Sequence, residues 1–529
     1  MLQGLRRSLL PIPLCFEGLG RHLAGHAPPA TGPGVRKPLA NLLGVWLRFD
    51  MGAHCPAESL EEAVNSLLPQ PLEADDPFYA DLAAARGSKV LAKLEKHLRT
   101  VADGRDIRKC HIGFIGHRGC GKTTELKRLE ERLSNIYYPV HLYLDNTLER
   151  DADYPDLFLW LVASVARTLV EDKVEFDKDY FERVAEWFAE VTKTVETGTS
   201  AKVEVAAEAE VAAKYGIFGT GLKLLGRITS SFAGDTKRRE TMRTEMKRYA
   251  QELLTQVNGF LAHACEALKK AGKPGRLLLI QDNLDRLSRE AAMNVFSANG
   301  QILTDIEAFF VWTAPVGTNL APFNIENLFK CFYMPTISVH NRQGEPQEKA
   351  IAGLTNLVAK RLSLDLIFDK SDVLKKLVLA SGGSLRDLLR LLEYALLDAQ
   401  TDENPTIEES NADAAIKEFG LGIQRRLVPG NVYFPILADV ALTKQWDADL
   451  GDGIITTTSV DDRRAFFHQL ILQGDILEYN GDETWYDVHP VLHKIRLFRV
   501  ELEKLKEEER KAKKPRSPAA KSHGKRTQD

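Results

Sequence analysis

Apolar positions gather into a readable pattern from Ser59 onward. From Ser59 to Leu98 the chain reads helical, with a turn at Asp75-Asp76-Pro77 and a stripe of Val90, Leu91, Leu94 and Leu98. The short apolar run His111–Ile115 predicts a strand. A Gly-rich turn follows it, then an amphipathic helix carrying Leu126, Leu129 and Leu133. Four more runs predict strands over Val140–Leu144, Leu277–Ile280, Phe309–Thr313 and Phe332–Met334. Helical patterns fall between them: Leu157–Leu169, a stripe of Phe181, Val184, Phe188, Val191 and Val195, and a long stretch from Thr236 to Ala271. Strands alternating with helices predict a parallel sheet covered on both faces.

The remaining stretches read differently. Val203, Val205, Ala207, Ala209 and Val211 alternate with charged residues, which favours a strand or hairpin. Gly216, Gly219, Gly221 and Gly226 then break any regular pattern. After Asn341 the chain reads all-helical to about Phe419, with clear patterns over Leu354–Leu362 and Ser384–Ala399. Asn480-Gly481 lies between the runs Asp475–Tyr479 and Thr484–Val488, a strong hairpin signal, and helices before a hairpin suggest a winged helix. The expected organisation is a disordered or spurious extension over 1–55, in which Met51 could be the true start, and a helical segment over 56–105. A core with an insertion at 176–271 should span 106–340, a helical lid 341–425, a winged-helix-like domain 426–500 and a disordered basic tail 501–529.

Composition narrows the function class. The 529 residues carry 70 Lys and Arg against 74 Asp and Glu, a net charge of -4, which excludes a wholly basic histone-like protein. The six cysteines form no CxxC pair, so a disulfide scaffold or zinc ribbon is not expected, and a reducing cytosolic setting is. The most apolar window, Leu157 to Val170, contains Arg167 and is too short to span a bilayer.

One motif carries chemistry. Gly116-His117-Arg118-Gly119-Cys120-Gly121-Lys122-Thr123 fits GxxxxGK(S/T) between a strand and a helix. Glycines let backbone N–H groups wrap phosphate oxygens, and the helix N-terminus adds its positive dipole end. Lys122 would reach the β- and γ-phosphates, and Thr123, followed by Thr124, would hold Mg²⁺. Cys120 reads as a small filler. The pattern predicts an α/β fold: a parallel-sheet P-loop NTPase core with a helical lid and a C-terminal winged-helix-like domain. Asp282, after the strand Leu277–Ile280, is the expected acid of the second half of the site and would bind Mg²⁺ through water. Asn283 follows it and cannot accept a proton, so Asp285 is the candidate general base. Thr313 at a strand end is a candidate γ-phosphate sensor. Arg386 opens a helix after Gly382-Gly383, against the helix dipole, and is a candidate to reach back to the phosphates.

The order of P-loop, Asp-bearing strand, polar strand end and Gly-Gly-x-x-Arg resembles the AAA+ superfamily. It looks most like the branch shared by origin-recognition-type and STAND-type signalling ATPases, on Asp282-Asn283-Leu284-Asp285-Arg286. The resemblance covers about Asp81 to Ile495. It implies ATP as ligand, a partner protein under nucleotide control, and an association with bacterial antiviral systems, while Asn283 in place of the second acid departs from the pattern and points to slow hydrolysis. It also implies that the segment Asp81–Leu98, with Arg86-Gly87, covers adenine. Lys330 stands where oligomeric members place an arginine finger, which argues against a hexamer-type site, though a homo-oligomer stays open. Arg286 and Arg289 are the candidates to substitute.

Lys237, Arg239, Arg243 and Lys247 form a basic face with Arg238 and Arg248, a candidate contact for nucleic-acid phosphates together with the basic tail. The hairpin opposes such contact, since it carries Glu478, Asp482, Glu483 and Asp487. The alternative to a protein-directed switch is therefore an origin-recognition-like DNA-binding ATPase, or a scaffold that holds ATP without hydrolysing it.

Overall fold

A computed structural model describes residues 55–104, 109–142, 144, 147–192, 219–318, 325–427, 432–446, 460–480 and 484–513. Five strands build one parallel sheet: β1 (Cys110–Ile115), β2 (Tyr138–Leu142), β3 (Leu277–Gln281), β4 (Phe309–Ala314) and β5 (Lys330–Tyr333). Their order across the sheet is β2-β3-β4-β1-β5. All five strands lie within two or three residues of the runs predicted from apolar pattern. β3 and β4 are buried throughout because helices cover both sides of the sheet.

Alternation along each strand divides the core. Leu278 and Ile280 face the helices Val90–Ala102 and Lys122–Leu133, packing with Leu94, Leu98, Leu126, Leu129 and Leu133. Leu277 and Leu279 belong to the opposite core, with Leu157, Phe158 and Val162 of the apolar helix Tyr154–Glu171. The inserted helices Lys178–Thr192, Gly219–Gly234, Thr236–Arg248 and Ala250–Lys270 extend that second core.

The lid helices Glu348–Ala359, Ser371–Ala380, Leu385–Thr401 and Glu409–Leu427 share another core with the C-terminal elements. Those are the helices Tyr433–Thr443 and Val460–Gln473, the antiparallel hairpin β6 (Ile476–Asn480) and β7 (Thr484–Val488), and the helix Arg496–Lys513. Among the described residues no helix is long and apolar enough to cross a membrane.

Several expectations are corrected. The stretch Ser59–Leu98 is not continuously helical. It forms short helices at Leu60–Ser66 and Ala83–Arg86, and residues 67–82 are irregular because Pro69, Pro71 and Pro77 remove helix donors. Glycines 219, 221 and 226 do not break structure but lie in the helix Gly219–Gly234. A Cβ at Gly221 would stand 2.7 Å from the Phe181 ring, so this glycine makes room for an aromatic neighbour. The long pattern Thr236–Ala271 is two helices, split at Tyr249. The last helix runs to Lys513, into the stretch expected to be disordered. The alternating segment Val203–Val211, residues 1–54, the turn 481–483 and residues 514–529 lie outside the described residues.

Candidate functional site

β1 and β3 both end at one edge of the sheet, and the loops that follow them meet there. The loop after β1 curls because Gly119 and Gly121 take φ of +81° and +96°, a region closed to most side chains. A Cβ at Gly119 would stand 2.6 Å from Cβ of Arg386, and one at Gly116 would stand 2.8 Å from the Met334 carbonyl oxygen. Gly121 then caps the helix Lys122–Leu133, whose free N–H groups complete an anion cradle.

Lys122 Nζ donates to the carbonyl oxygens of Gly116 (2.8 Å) and His117 (2.9 Å) and pairs with Asp285 Oδ2 at 2.6 Å. Burial opposes the charge of Lys122, but Asp285 outweighs it and the ammonium is held protonated. Thr123 Oγ1 donates to Asp282 Oδ2 at 2.6 Å. Burial would push the Asp282 carboxyl up, yet hydrogen bonds from His141 and Thr123 bring it down to about 2. His141, on β2, has Nε2 3.6 Å from Asp282 Oδ2 and Nδ1 2.6 Å from Glu130 Oε1. Burial alone would lower its pKa, but the two carboxylates raise it to about 9. The pair of Thr123 with an ionised Asp282 is thus a hard-oxygen arrangement suited to Mg²⁺.

A continuous loop-and-lid hollow opens in front of these groups. Gly119, Gly121, Thr123, Thr124 and Asp285 line one end, Leu385 and Arg386 the lid side, and Pro69–Leu72 with Phe78, Tyr79, Ala80 and Leu82 the far end. The chain folds as a P-loop NTPase core with a helical lid and a C-terminal winged-helix-like domain. No family model and no curated protein matches the chain. Solved structures similar to it include Cdc6p from Pyrobaculum aerophilum, at TM-score 0.33 and 14% identity over 80% of this chain and 98% of that one. The Aeropyrum pernix ORC2 protein in ADPNP–ADP complexes gives a TM-score of 0.37 and 12% identity over 80% and 96%. A RuvB variant from Thermotoga maritima gives 0.32 and 12% over 77% and 94%. At these scores the likeness carries no residue-by-residue correspondence.

The other predicted residues take distinct places around the P-loop. Arg86 is buried. Its Nη2 donates to the Cys120 carbonyl oxygen at 2.8 Å and its Nη1 pairs with Glu125 at 3.2 Å, so it braces the loop. The Cys120 side chain packs into the core with Phe114 and Leu126. Thr124 Oγ1 accepts from the Leu72 N–H at 3.1 Å and ties the irregular segment to the P-loop helix. The Arg386 N–H donates to the Gly119 carbonyl oxygen at 3.3 Å, so lid and P-loop touch directly. Asn283 takes a positive φ of 68° and its N–H donates to Asp282 Oδ1. Arg286 pairs with Glu149 rather than with Asp285. Lys330 is the exposed first residue of β5.

Two expectations fail here. Thr313 is fully buried; its Oγ1 donates to the Gln281 carbonyl oxygen and accepts from the Leu284 N–H, both at 3.2 Å. It fastens β4 to the loop after β3 and does not line the hollow. The basic face on Thr236–Arg248 is also mostly consumed inside the fold. Arg243 Nε reaches both oxygens of the fully buried Asp156, at 3.1 and 3.2 Å, and Nη1 pairs with Glu240 at 2.6 Å. Arg239 is 6% exposed beside Asp151, and Lys247 pairs with Asp153. Lys237 alone of the four named candidates pairs with no acid among the described residues.

Three contributions escaped sequence reasoning. His141 was visible only as a polar residue within an apolar strand. His117 accepts a hydrogen bond at Nε2 from the Glu478 N–H at 2.8 Å, which joins the P-loop to β6, while Tyr479 Oη donates to the Gly382 carbonyl oxygen. Residues 67–82, read as helical, instead supply a wall of the hollow.

Proposed function

We propose that this chain is an AAA+-type ATPase of the origin-recognition/STAND-like branch, which binds Mg²⁺-ATP between P-loop and lid, hydrolyses it slowly and acts as a nucleotide-dependent switch on a partner protein in the cytosol. The observation that carries this reading is the 2.6 Å contact of Thr123 with Asp282 in front of a loop whose lysine is already charged and buried. Thr123 and Asp282, the latter through water, would hold Mg²⁺, which supplies Lewis-acid neutralisation of phosphate charge when bound. Among the described residues no cluster of three or more His, Cys, Asp or Glu offers a cage, so the ion would arrive with the triphosphate.

Lys122 would exchange Asp285 for the β/γ-phosphates. Asp285, released, would accept a proton from the attacking water, a role Asn283 cannot fill. Arg386 would meet the phosphates from the lid, so lid position follows nucleotide state. Adjacent residues of β6 touch His117 and Gly382, a path by which that state would reach the winged-helix-like domain. The DNA-binding alternative loses support because Arg239 and Arg243 are buried in ion pairs.

The test is ATP binding by calorimetry and ATP turnover with and without duplex DNA. Lys122→Ala should lose affinity by about 100-fold. Asp285→Ala should still bind ATP and turn it over roughly 10²- to 10⁴-fold more slowly, and DNA should leave the rates unchanged. Unaltered ATP affinity in Lys122→Ala would overturn the nucleotide site, and normal turnover in Asp285→Ala would remove Asp285 as base.

A further inference from the structure

The hollow has two ends, and only one is explained by phosphate chemistry. At the other end Arg361 closes the wall beside Leu357, Phe78 and Tyr79. It follows the lid helix Glu348–Ala359 and is 4% exposed. Its Nη1 donates to the carbonyl oxygens of Phe78 (3.0 Å) and Leu357 (3.1 Å), and its guanidinium carbon lies 5.1 Å over the Phe78 ring. Among the described residues, Nε and Nη2 make no hydrogen bond and no carboxylate pairs with the group. Burial lowers its pKa to about 10, with Asp76 only partly offsetting.

This is an unusual way to bury a cation. Two other buried arginines among the described residues each have an acid: Arg86 has Glu125 and Arg243 has Asp156. A guanidinium kept without one, with a donor left over and a hollow in front, is arranged for an acceptor that arrives with a ligand. Phosphate cannot be that acceptor, because Lys122, Thr123 and the loop amides already define where the phosphates lie. The Leu72–Thr124 hydrogen bond marks the step from the P-loop end toward the far end of the hollow. Beyond it, the aromatic and aliphatic wall of Phe78, Tyr79, Leu82, Leu357 and Leu389 suits a flat heteroaromatic ring.

We propose that Arg361 is the base-reading residue of this site: its Nη2 donates to a ring-nitrogen acceptor of the purine, so that it sets which nucleotide the P-loop accepts. The proposal rests on the nucleotide-site reading above and deepens it. Arg361 touches the base and not the reacting atoms, so it sets affinity and specificity and leaves the chemistry of the γ-phosphate alone. It also couples base recognition to the lid, because its Nη1 already joins the lid carbonyl of Leu357 to Phe78 of the segment opposite.

The experiment is a double comparison on the full chain. Wild type and Arg361→Met are titrated with ATP, with its 1-, 3- and 7-deaza analogues, and with inorganic tripolyphosphate. Arg361→Met should bind ATP about 10- to 100-fold more weakly, as expected for one lost charge-assisted hydrogen bond, and should bind tripolyphosphate as wild type does. One deaza analogue should bind wild type about as weakly as ATP binds Arg361→Met, and that analogue should suffer no further loss in the variant. Equal losses for ATP and tripolyphosphate would overturn the proposal in favour of a bracing role. So would deaza losses that persist unchanged in Arg361→Met, a readout that holds even if the variant is less stable. If wild type binds tripolyphosphate and ATP alike, no base is read and this proposal alone fails. If Lys122→Ala binds every ligand as wild type does, the P-loop site itself is wrong and the proposal falls with it.

Discussion

Lys122 meets Asp285 at 2.6 Å, and Arg243 meets Asp156 through Nε contacts of 3.1 and 3.2 Å. The two cations are equally hidden, with side chains 3% and 5% exposed. Their acids are not. Asp156 is sealed at 0%, while Asp285 is 12% exposed and belongs to the wall of the hollow. Asp156 also closes a capping box with Asp153 at the start of the helix Tyr154–Glu171, and Arg243 further donates to the Asp151 carbonyl oxygen. The first pair can open toward a ligand. The second does not open, because the other partners of Arg243, Glu240 and Asp151, also belong to the fold. A buried ion pair therefore signals function only where one member faces space that something else can fill.

Arg243→Met should break this contrast most severely. It leaves Asp156 as an unpaired buried carboxylate, and should cost about 3–5 kcal/mol in urea unfolding. Lys122→Ala should cost under about 1 kcal/mol in the same assay, since Asp285 can hydrate from the hollow. Similar losses for both would erase the distinction between an open and a sealed pair.

The next effect concerns His141. Its folded pKa of about 9 lies above the unfolded value near 6.5. Its stabilisation is therefore complete below pH 6.5 and fades as pH rises through 9. Wild type should lose on the order of 3 kcal/mol between pH 6.5 and 9.5, and His141→Asn should lack that slope. A slope that survives in His141→Asn would assign it to another group. A smaller change than that of His141 is expected from Thr313→Val, which removes two hydrogen bonds inside the fold. It should cost roughly 1–2 kcal/mol and leave ATP affinity as it was. A loss of ATP affinity beyond that of stability would restore Thr313 as a sensor.

The sheet and the P-loop were legible because their signals are short-range. A buried parallel strand must be a continuous apolar run, and β1, β3 and β4 are such runs. A phosphate cradle must be built from consecutive amides, so Gly116–Thr123 could be recognised from eight neighbouring residues. Asp282 could be found because it ends an apolar strand. Residues 67–82 are less legible because apolar spacing there resembles a helix, while Pro69, Pro71 and Pro77 forbid one. The basic face of Lys237–Lys247 is illegible for a different reason. Charge along a helix is local, but its neutralisers, Asp151, Asp153 and Asp156, lie more than eighty residues earlier.

What the amino-acid sequence determined by itself was therefore the sheet and the glycine-rich loop at its edge. Whether each charge is spent within the fold or left facing the hollow was decided only by tertiary structure. His141 reaches Asp282 across two strands, Arg361 faces residues from the other end of the chain, and Glu478 meets His117 over a separation of 361 positions. The physical reason is range. Backbone curvature and apolar alternation act between neighbours in sequence, whereas charge compensation and desolvation act between neighbours in space.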